Sequence, residues 1–419
     1  MSADTIVIVG GGLSGLRTAE KLRRLGHEGP VTLVGAESRL PYDRPPLSKT
    51  LLTQEAEPAE AALLRPAERY AELGIDVRTS ARAVSLDAEN RRVALDTGES
   101  IAFDRLVIAT GVRARTIGAF GSLGGVHTLR TWEDCLALRA ATRSAAHLTV
   151  VGAGVLGCEV AASARALGLD VALVESLGQP LARVLGAAVG ESVASLHRDA
   201  GVRLHCAAGV TSAEGEERVE RVVLTDGGAI DTDAVVVAVG SVPDTEWLEG
   251  SGIALDDGVL CDRTGRTSIE EVFAVGDVAR MPHPHGNGTV RFEHWSGAGD
   301  TASLVAANLL ADPADRRPLS EVPYFWSDQY GARIQCLGTP DPDDALTVVD
   351  GALEAGRFLA LYSGDGLVTG AVAIGMPAAL ARCRTGVGAR TPLAELVALA
   401  PWERARPLAG TRSTETGKA

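Results

Sequence analysis

The sequence has few aromatic residues, no paired cysteines and no long apolar run. Its six cysteines, Cys135, Cys158, Cys206, Cys261, Cys336 and Cys383, are scattered, without a CxxC or CxxxxC pair. That spacing argues against an iron–sulfur cluster, a zinc site and a redox-active disulfide, and it suits a reducing compartment. No apolar stretch approaches the roughly 18–20 residues of a membrane span. The start, MSADTIVIVG, enters a strand at once and shows no signal-peptide pattern. A cytoplasmic protein that does not engage membranes is expected. The formal net charge of −14 excludes nucleic acid as an expected partner, because the phosphates would be repelled. At 419 residues the chain exceeds one compact core, so two or three domains are expected.

Glycine, by contrast, is plentiful and patterned. TIVIV reads as a short buried strand, GGGLSG as a turn, LSGLRTAEKLRRLG as a helix ending at Gly26, and VTLVG as a second strand. The same grammar returns in LTVVGAGVLGCEVAASARALGLDVALVES, positions 148–176. In such a unit the first glycine makes the tight turn, the second lets the backbone approach a pyrophosphate, and the third lets helix and strand pack closely. Gly10, Gly12 and Gly15 fit this pattern, as do Gly152, Gly154 and Gly157. An acid at the end of the second strand grips ribose hydroxyls. Glu175 fits that role with no basic residue close behind it, which favours NADH over NADPH. In the first unit the strand ends in Gly35 and Ala36, and Glu37 is the nearest acid. Two dinucleotide sites in one chain imply hydride transfer between them, with FAD and a nicotinamide as the natural pair. From about position 320 the segments ARIQCLG, LTVVDGAL, RFLALYS and LVTGAVAIG read as short strands, followed by a helix around 377–385. They suggest a smaller α+β domain.

These features resemble the FAD-dependent NADH:ferredoxin reductases, a branch of the two-dinucleotide flavoprotein reductases that serves Rieske-type oxygenases and haem monooxygenases. The resemblance spans nearly the whole chain. It rests on GGGLSGL at 10–16, PYDRPPLSK at 41–49, ATG at 109–111, LRTWED at 129–134, GAGVLGCEVA at 152–161, VFAVGD at 272–277, VRFEHW at 290–295 and FWSDQY at 325–330. It implies an α/β fold of two Rossmann-like domains in a glutathione-reductase-like architecture, plus a small C-terminal α+β domain. The expected layout is FAD-binding at 1–112 and 241–319, NAD-binding at 113–240, and the C-terminal domain at 320–419. Ser14, Lys49, Ala83, Arg130, Asp277 and Trp295 are implied as flavin-nucleotide contacts beside the turn at Gly10, Gly12 and Gly15. Gly240 joins Gly152, Gly154, Gly157, Glu159 and Glu175 on the NAD side. Relatives often carry an acid where this chain has Ala36, so Glu37 stands in as the ribose candidate. An Asx turn is the plainer alternative for Asp277, although a carboxylate there could accept from ribityl hydroxyls. A helix cap would account for Thr131 with Asp134 but leave Arg130 free. Without the flanking motifs both Trp295 and Trp326 would read as core.

The stretch PYDRPPLSK is informative through what it omits. In disulfide reductases of related architecture this region carries a cysteine pair, and in oxidase and peroxidase relatives a single cysteine. Here there is none, so no thiol relay passes through it. Pro45 and Pro46 fix their φ angles, and Lys49 is expected to place a positive charge near the flavin. An ammonium buried there needs a carboxylate, and Glu159, just inside the second helix, is the candidate. The electrons are then expected to leave through the flavin itself, and the resemblance implies a small two-iron ferredoxin as the one-electron acceptor, with rubredoxin as an alternative. Trp326 is the candidate on the electron path. Arg65, Arg69, Arg316 and Arg317 are the basic residues considered for docking, although arginine pairs are more often ordinary surface. The competing readings are an NADH oxidase and an apoptosis-inducing-factor-like, redox-gated binding protein. Monomer and homodimer both remain open.

Overall fold

The computed structural model describes residues 4–54, 62–283 and 288–403. The last sixteen positions of the expected C-terminal domain lie outside the described residues. The first sheet is parallel, in the order Val272–Ala274, Arg105–Ile108, Ile6–Val9, Val31–Val34, Ile75–Arg78. Its central strand, IVIV, is buried at every position, as a parallel strand covered on both faces must be. The helix Leu13–Arg24 packs on it, and Trp295–Leu310 lies against that helix. A strand far along the sequence thus completes the first sheet.

A second parallel sheet repeats the plan, in the order Arg203–His205, Asp170–Val174, His147–Val151, Ala234–Val237, Val126–His127. Its glycine-turn helix is Val155–Ala166. Each sheet carries a three-stranded antiparallel meander, spanning 83–102 and 210–231. The two chain crossings between the sheets pair as a ribbon, Val112–Ala114 against Ser241–Pro243. In both glycine turns the third glycine is forced by packing. A Cβ on Gly15 would lie 2.0 Å from the Gly10 carbonyl oxygen, and one on Gly157 would lie 1.9 Å from that of Gly152.

The C-terminal portion is a five-stranded antiparallel sheet, Tyr324–Gln329, Ala332–Gly338, Leu367–Ile374, Arg357–Gly364, Ala345–Ala352. The helices Pro377–Gly388 and Leu393–Leu399 cover one face. Its other face joins the core beneath the second sheet, where Ile334, Phe358 and Val372 meet residues such as Cys158 and Val189. Among the described residues no helix is long and apolar enough to cross a membrane, and no cluster is placed to hold a metal ion.

At that junction His197 is fully buried, with Nδ1 2.7 Å from the Tyr330 hydroxyl. Burial outweighs the Gln329 side chain beside the ring and pushes its pKa down to about 4. An unfolded histidine titrates near 6.5, so between those values the unfolded chain binds more protons than the folded one. Stability is therefore complete above pH ~6.5 and lost as pH falls toward ~4. This group alone accounts for about 2 kcal/mol between pH 7 and pH 5. Urea unfolding at the two pH values should show His197→Gln losing less than the wild type. Equal losses would remove His197 from the account.

Candidate active site

A cavity of about 1060 Å³ opens between the two parallel sheets and the C-terminal sheet. It exceeds the roughly 300–1,000 Å³ of a pocket for one small molecule. Both glycine turns open into it, through Gly10 and Gly12 on one side and Gly154 on the other. The two helices that start there, at Leu13 and Val155, have no side-chain cap and no acid in the first turn. Their first N–H groups are therefore left for an anion, favoured also by the helix dipole. A Cβ placed on Gly12 or on Gly154 would meet nothing within 4 Å. Each turn thus keeps an open cradle beside uncapped amides, which fits a pyrophosphate at each.

Between the cradles lies an ion pair. Pro45–Ser48 forms a single 3₁₀ turn with proline at its start, the fixed φ angles favouring that tight geometry. The turn delivers Ser48 and Lys49 side by side. Lys49 Nζ lies 2.6 Å from Glu159 Oε2, with Pro45 O at 3.2 Å and Ser48 Oγ at 3.3 Å. Glu159 is buried and Lys49 about one-fifth exposed. Both face the cavity.

Arg130 and Asp277 also line the cavity, paired to each other at 3.0 Å, while Arg130 Nε donates to Val112 O. Thr131 and Asp134 do form a capping box, leaving the Arg130 guanidinium to the cavity side. Glu37 accepts from Tyr42 Oη at 2.5 Å and from Arg44 Nη2 at 2.7 Å. Burial pulls the Arg44 guanidinium down, but Tyr42 and Glu37 outweigh it and its pKa is raised. Arg44 holds its charge, and Glu37 is ordered at the cavity wall. Ser14 and Ala83 line the same wall, as does Gly240 on the opposite side.

Gly15, Gly152, Gly157 and Glu175 do not line the cavity. The third glycines pack helix on strand. Glu175 accepts from the Ala153 amide at 2.7 Å and the Leu177 amide at 2.9 Å, and so braces the second glycine turn. Neither Trp295 nor Trp326 is a core residue. Trp295 is 40% exposed, its indole N–H donating to Asp43. Trp326 stands edge-on to it at 5.8 Å and stacks with Tyr324 at 6.0 Å. Both tryptophans line the cavity: Trp295 opens the helix Trp295–Leu310, and Trp326 is turned there because extended backbone sends alternate side chains of Tyr324–Gln329 to opposite faces.

Three of the four basic residues considered for docking are in ion pairs. Arg65 pairs with Glu20, Arg69 with Glu72, and Arg316 is nearly buried, pairing with Glu270 over the Phe273 ring. The backbone of Arg317 is tied to Asn308. All six cysteines are free thiols. Burial holds the Cys158 thiol, next to Glu159, well above its ordinary pKa, so it supplies no thiolate to the cavity.

Comparison with known proteins decides the family. Residues 4–302 match the pyridine nucleotide-disulphide oxidoreductase family, and 324–405 match the reductase C-terminal family. The chain belongs to the pyridine nucleotide-disulphide oxidoreductases. The biphenyl dioxygenase system ferredoxin–NAD(+) reductase component of Paraburkholderia xenovorans (strain LB400) is 39% identical over 372 residues, 88% of this chain and 90% of that protein. A chain of the covalent putidaredoxin reductase–putidaredoxin complex superposes with a TM-score of 0.89 at 30% identity, covering 95% of this chain and 96% of its own. The ferredoxin reductase for the CYP199A2 system of Rhodopseudomonas palustris gives 0.85 at 34% identity, covering 88% and 91%. This oxidoreductase is thus similar over most of its length to ferredoxin-linked reductases. It has the family's fold without the cysteine pair of the family's name at positions 41–49.

Proposed function

We propose that the protein is an FAD-dependent NADH:ferredoxin reductase, passing electrons from NADH to a small two-iron ferredoxin that serves a Rieske-type or haem oxygenase. The observation that carries this reading is the Lys49–Glu159 pair, which lies between two open dinucleotide cradles in a cavity without a reactive thiol. When bound, FAD would supply a hydride acceptor for NADH and a one-electron donor for the ferredoxin. The Gly10–Gly12 turn, Ser14, Glu37, Ala83, Arg130, Asp277 and Trp295 hold FAD. The Gly152–Gly154 turn, Glu175 and Gly240 hold NADH, with Gly15 and Gly157 keeping the turns closed from beneath.

The work left to the protein is positioning and electrostatics. The Lys49 ammonium lies on the cavity wall, where its carboxylate partner prevents it from turning away. Such charge favours an electron-rich ring system beside it. Trp326 and Trp295 close the cavity mouth against water and form the face an acceptor protein would meet. Glu175, without a basic neighbour in SLGQP, selects a free ribose hydroxyl over a 2′-phosphate.

Anaerobic titration of the purified holoprotein with NADH, followed by a two-iron ferredoxin, tests the reading. Bleaching of the flavin band and repeated reduction of added ferredoxin are expected. Bleaching that persists in the presence of several ferredoxins would overturn it.

A further inference from the structure

The Glu159 carboxylate is held from two other parts of the chain at once. Oε2 accepts from Lys49 Nζ and from Ser48 Oγ, each at 2.6 Å. Oε1 accepts from Ser327 Oγ at 3.0 Å and, more weakly, from the Asp328 amide at 3.4 Å. An ionised carboxylate offers about four acceptor sites, so the group is close to saturated. Ser48 and Lys49 come from the 3₁₀ turn that starts at Pro45, Glu159 from the helix after the second glycine turn, and Ser327 from the first strand of the C-terminal sheet.

The direction of the chain of bonds is fixed by chemistry. Ser327 is fully buried, and its hydroxyl has one proton, which must go to the carboxylate. Its oxygen is then left to accept, and Gln329 Nε2 donates to it at 2.9 Å. The order Gln329 N–H to Ser327 O–H to Glu159 therefore admits no reversal. Ser327 and Gln329 share the inward face of their strand, while Trp326, the residue before Ser327, points the other way and lines the cavity.

We infer that Ser327 is a positioning residue for hydride transfer, holding Glu159, and through it Lys49, in register with the two cradles; this rests on the reductase reading above. The C-terminal sheet is then part of the hydride site as well as of the outer face. With no solvent at Ser327 to replace a lost donor, deletion of a hydrogen bond to a charged group is worth about tenfold in rate.

The test is stopped-flow reduction of the FAD-loaded protein by NADH, with NAD+ binding followed separately by calorimetry. Ser327→Ala should lower the saturating rate about tenfold, with half-saturation, NAD+ affinity and reoxidation by ferredoxin within about twofold of wild type. In a Glu159→Gln background, where the carboxylate is gone, the same alanine change should have little further effect, because a residue acting through a partner is non-additive with it. Should Ser327→Ala lose FAD or unfold, Gln329→Met, which removes the donor that orients the Ser327 hydroxyl, should still slow reduction about threefold. An unaltered rate in the variant that folds, or the same loss with and without the Glu159 carboxylate, overturns the inference while leaving the reductase reading intact. A wild-type protein that NADH does not reduce would remove both.

Discussion

Flavin reduction by NADH is expected to fall by about a hundredfold in Glu159→Ala, while the FAD content stays near that of the wild type. The magnitude is that of removing one preorganised electrostatic contact from an active site. Without the carboxylate, Lys49 Nζ keeps only the Pro45 carbonyl and the Ser48 hydroxyl, both beyond 3.1 Å. A partly buried ammonium with so little compensation swings toward water, because leaving it in place costs more than the site can return. The cradle at Gly10–Gly12 and the Arg130–Asp277 pair lie on other elements and keep their geometry. Rapid-reaction kinetics and the absorbance ratio of flavin to protein measure the two quantities on one sample. Parallel loss of both would show that the pair builds the FAD site and does not serve hydride transfer.

That pair was legible in the sequence because each half sits in a motif. Lys49 closes a proline-stiffened run without cysteine, and Glu159 lies two residues past a fingerprint glycine. The rest of the clamp was not legible. Ser48 and Ser327 have no spacing signal, since a serine hydroxyl satisfies its bonds in any secondary structure. Ser327 is also brought to Glu159 by packing of a strand that sequence reading left inside a motif, FWSDQY. The two meanders at 83–102 and 210–231 were missed for a similar reason. Their short strands alternate weakly, Val93 and Val222 being buried among exposed neighbours. For the tryptophans the flanking motifs, and not the residues themselves, point to the site. Rarity and size favour a core placement, yet the strand register puts Trp326 at the cavity mouth and Asp43 holds Trp295 beside it. The Glu175 contacts likewise depend on a turn geometry no pattern specifies. Its carboxylate braces the Ala153 and Leu177 amides, which orders the acid before any ribose arrives.

The two glycine cradles should separate cleanly by substitution. Gly12→Ala is expected to leave the apoprotein folded and to abolish retention of FAD, and with it essentially all turnover. Gly12 sits at φ −93°, ψ −168°, and Gly154 at φ −73°, ψ −174°, conformations any residue adopts. A Cβ at either would touch no protein atom within 4 Å. Replacement by alanine even removes some freedom from the unfolded chain, a gain of about 0.4–1 kcal/mol. The methyl group points instead into the space that a pyrophosphate would occupy against the helix amides, and there it has no way to yield. Gly154→Ala carries the same logic to the second turn, so FAD should remain bound while the NADH concentration for half-maximal reduction rises at least tenfold, the order expected when a methyl group displaces a phosphate from its amide donors. Gly15→Ala supplies the contrast, because its Cβ would collide with the Gly10 carbonyl oxygen and must shift the helix against the strand. That variant should lose thermal stability as well as FAD. Flavin content, unfolding temperature and NADH saturation, measured across the three proteins, give three different patterns. If Gly12→Ala kept its flavin, the first turn would not be where a dinucleotide pyrophosphate sits. If Gly154→Ala lost flavin instead of NADH affinity, the two cradles would be assigned the wrong way round.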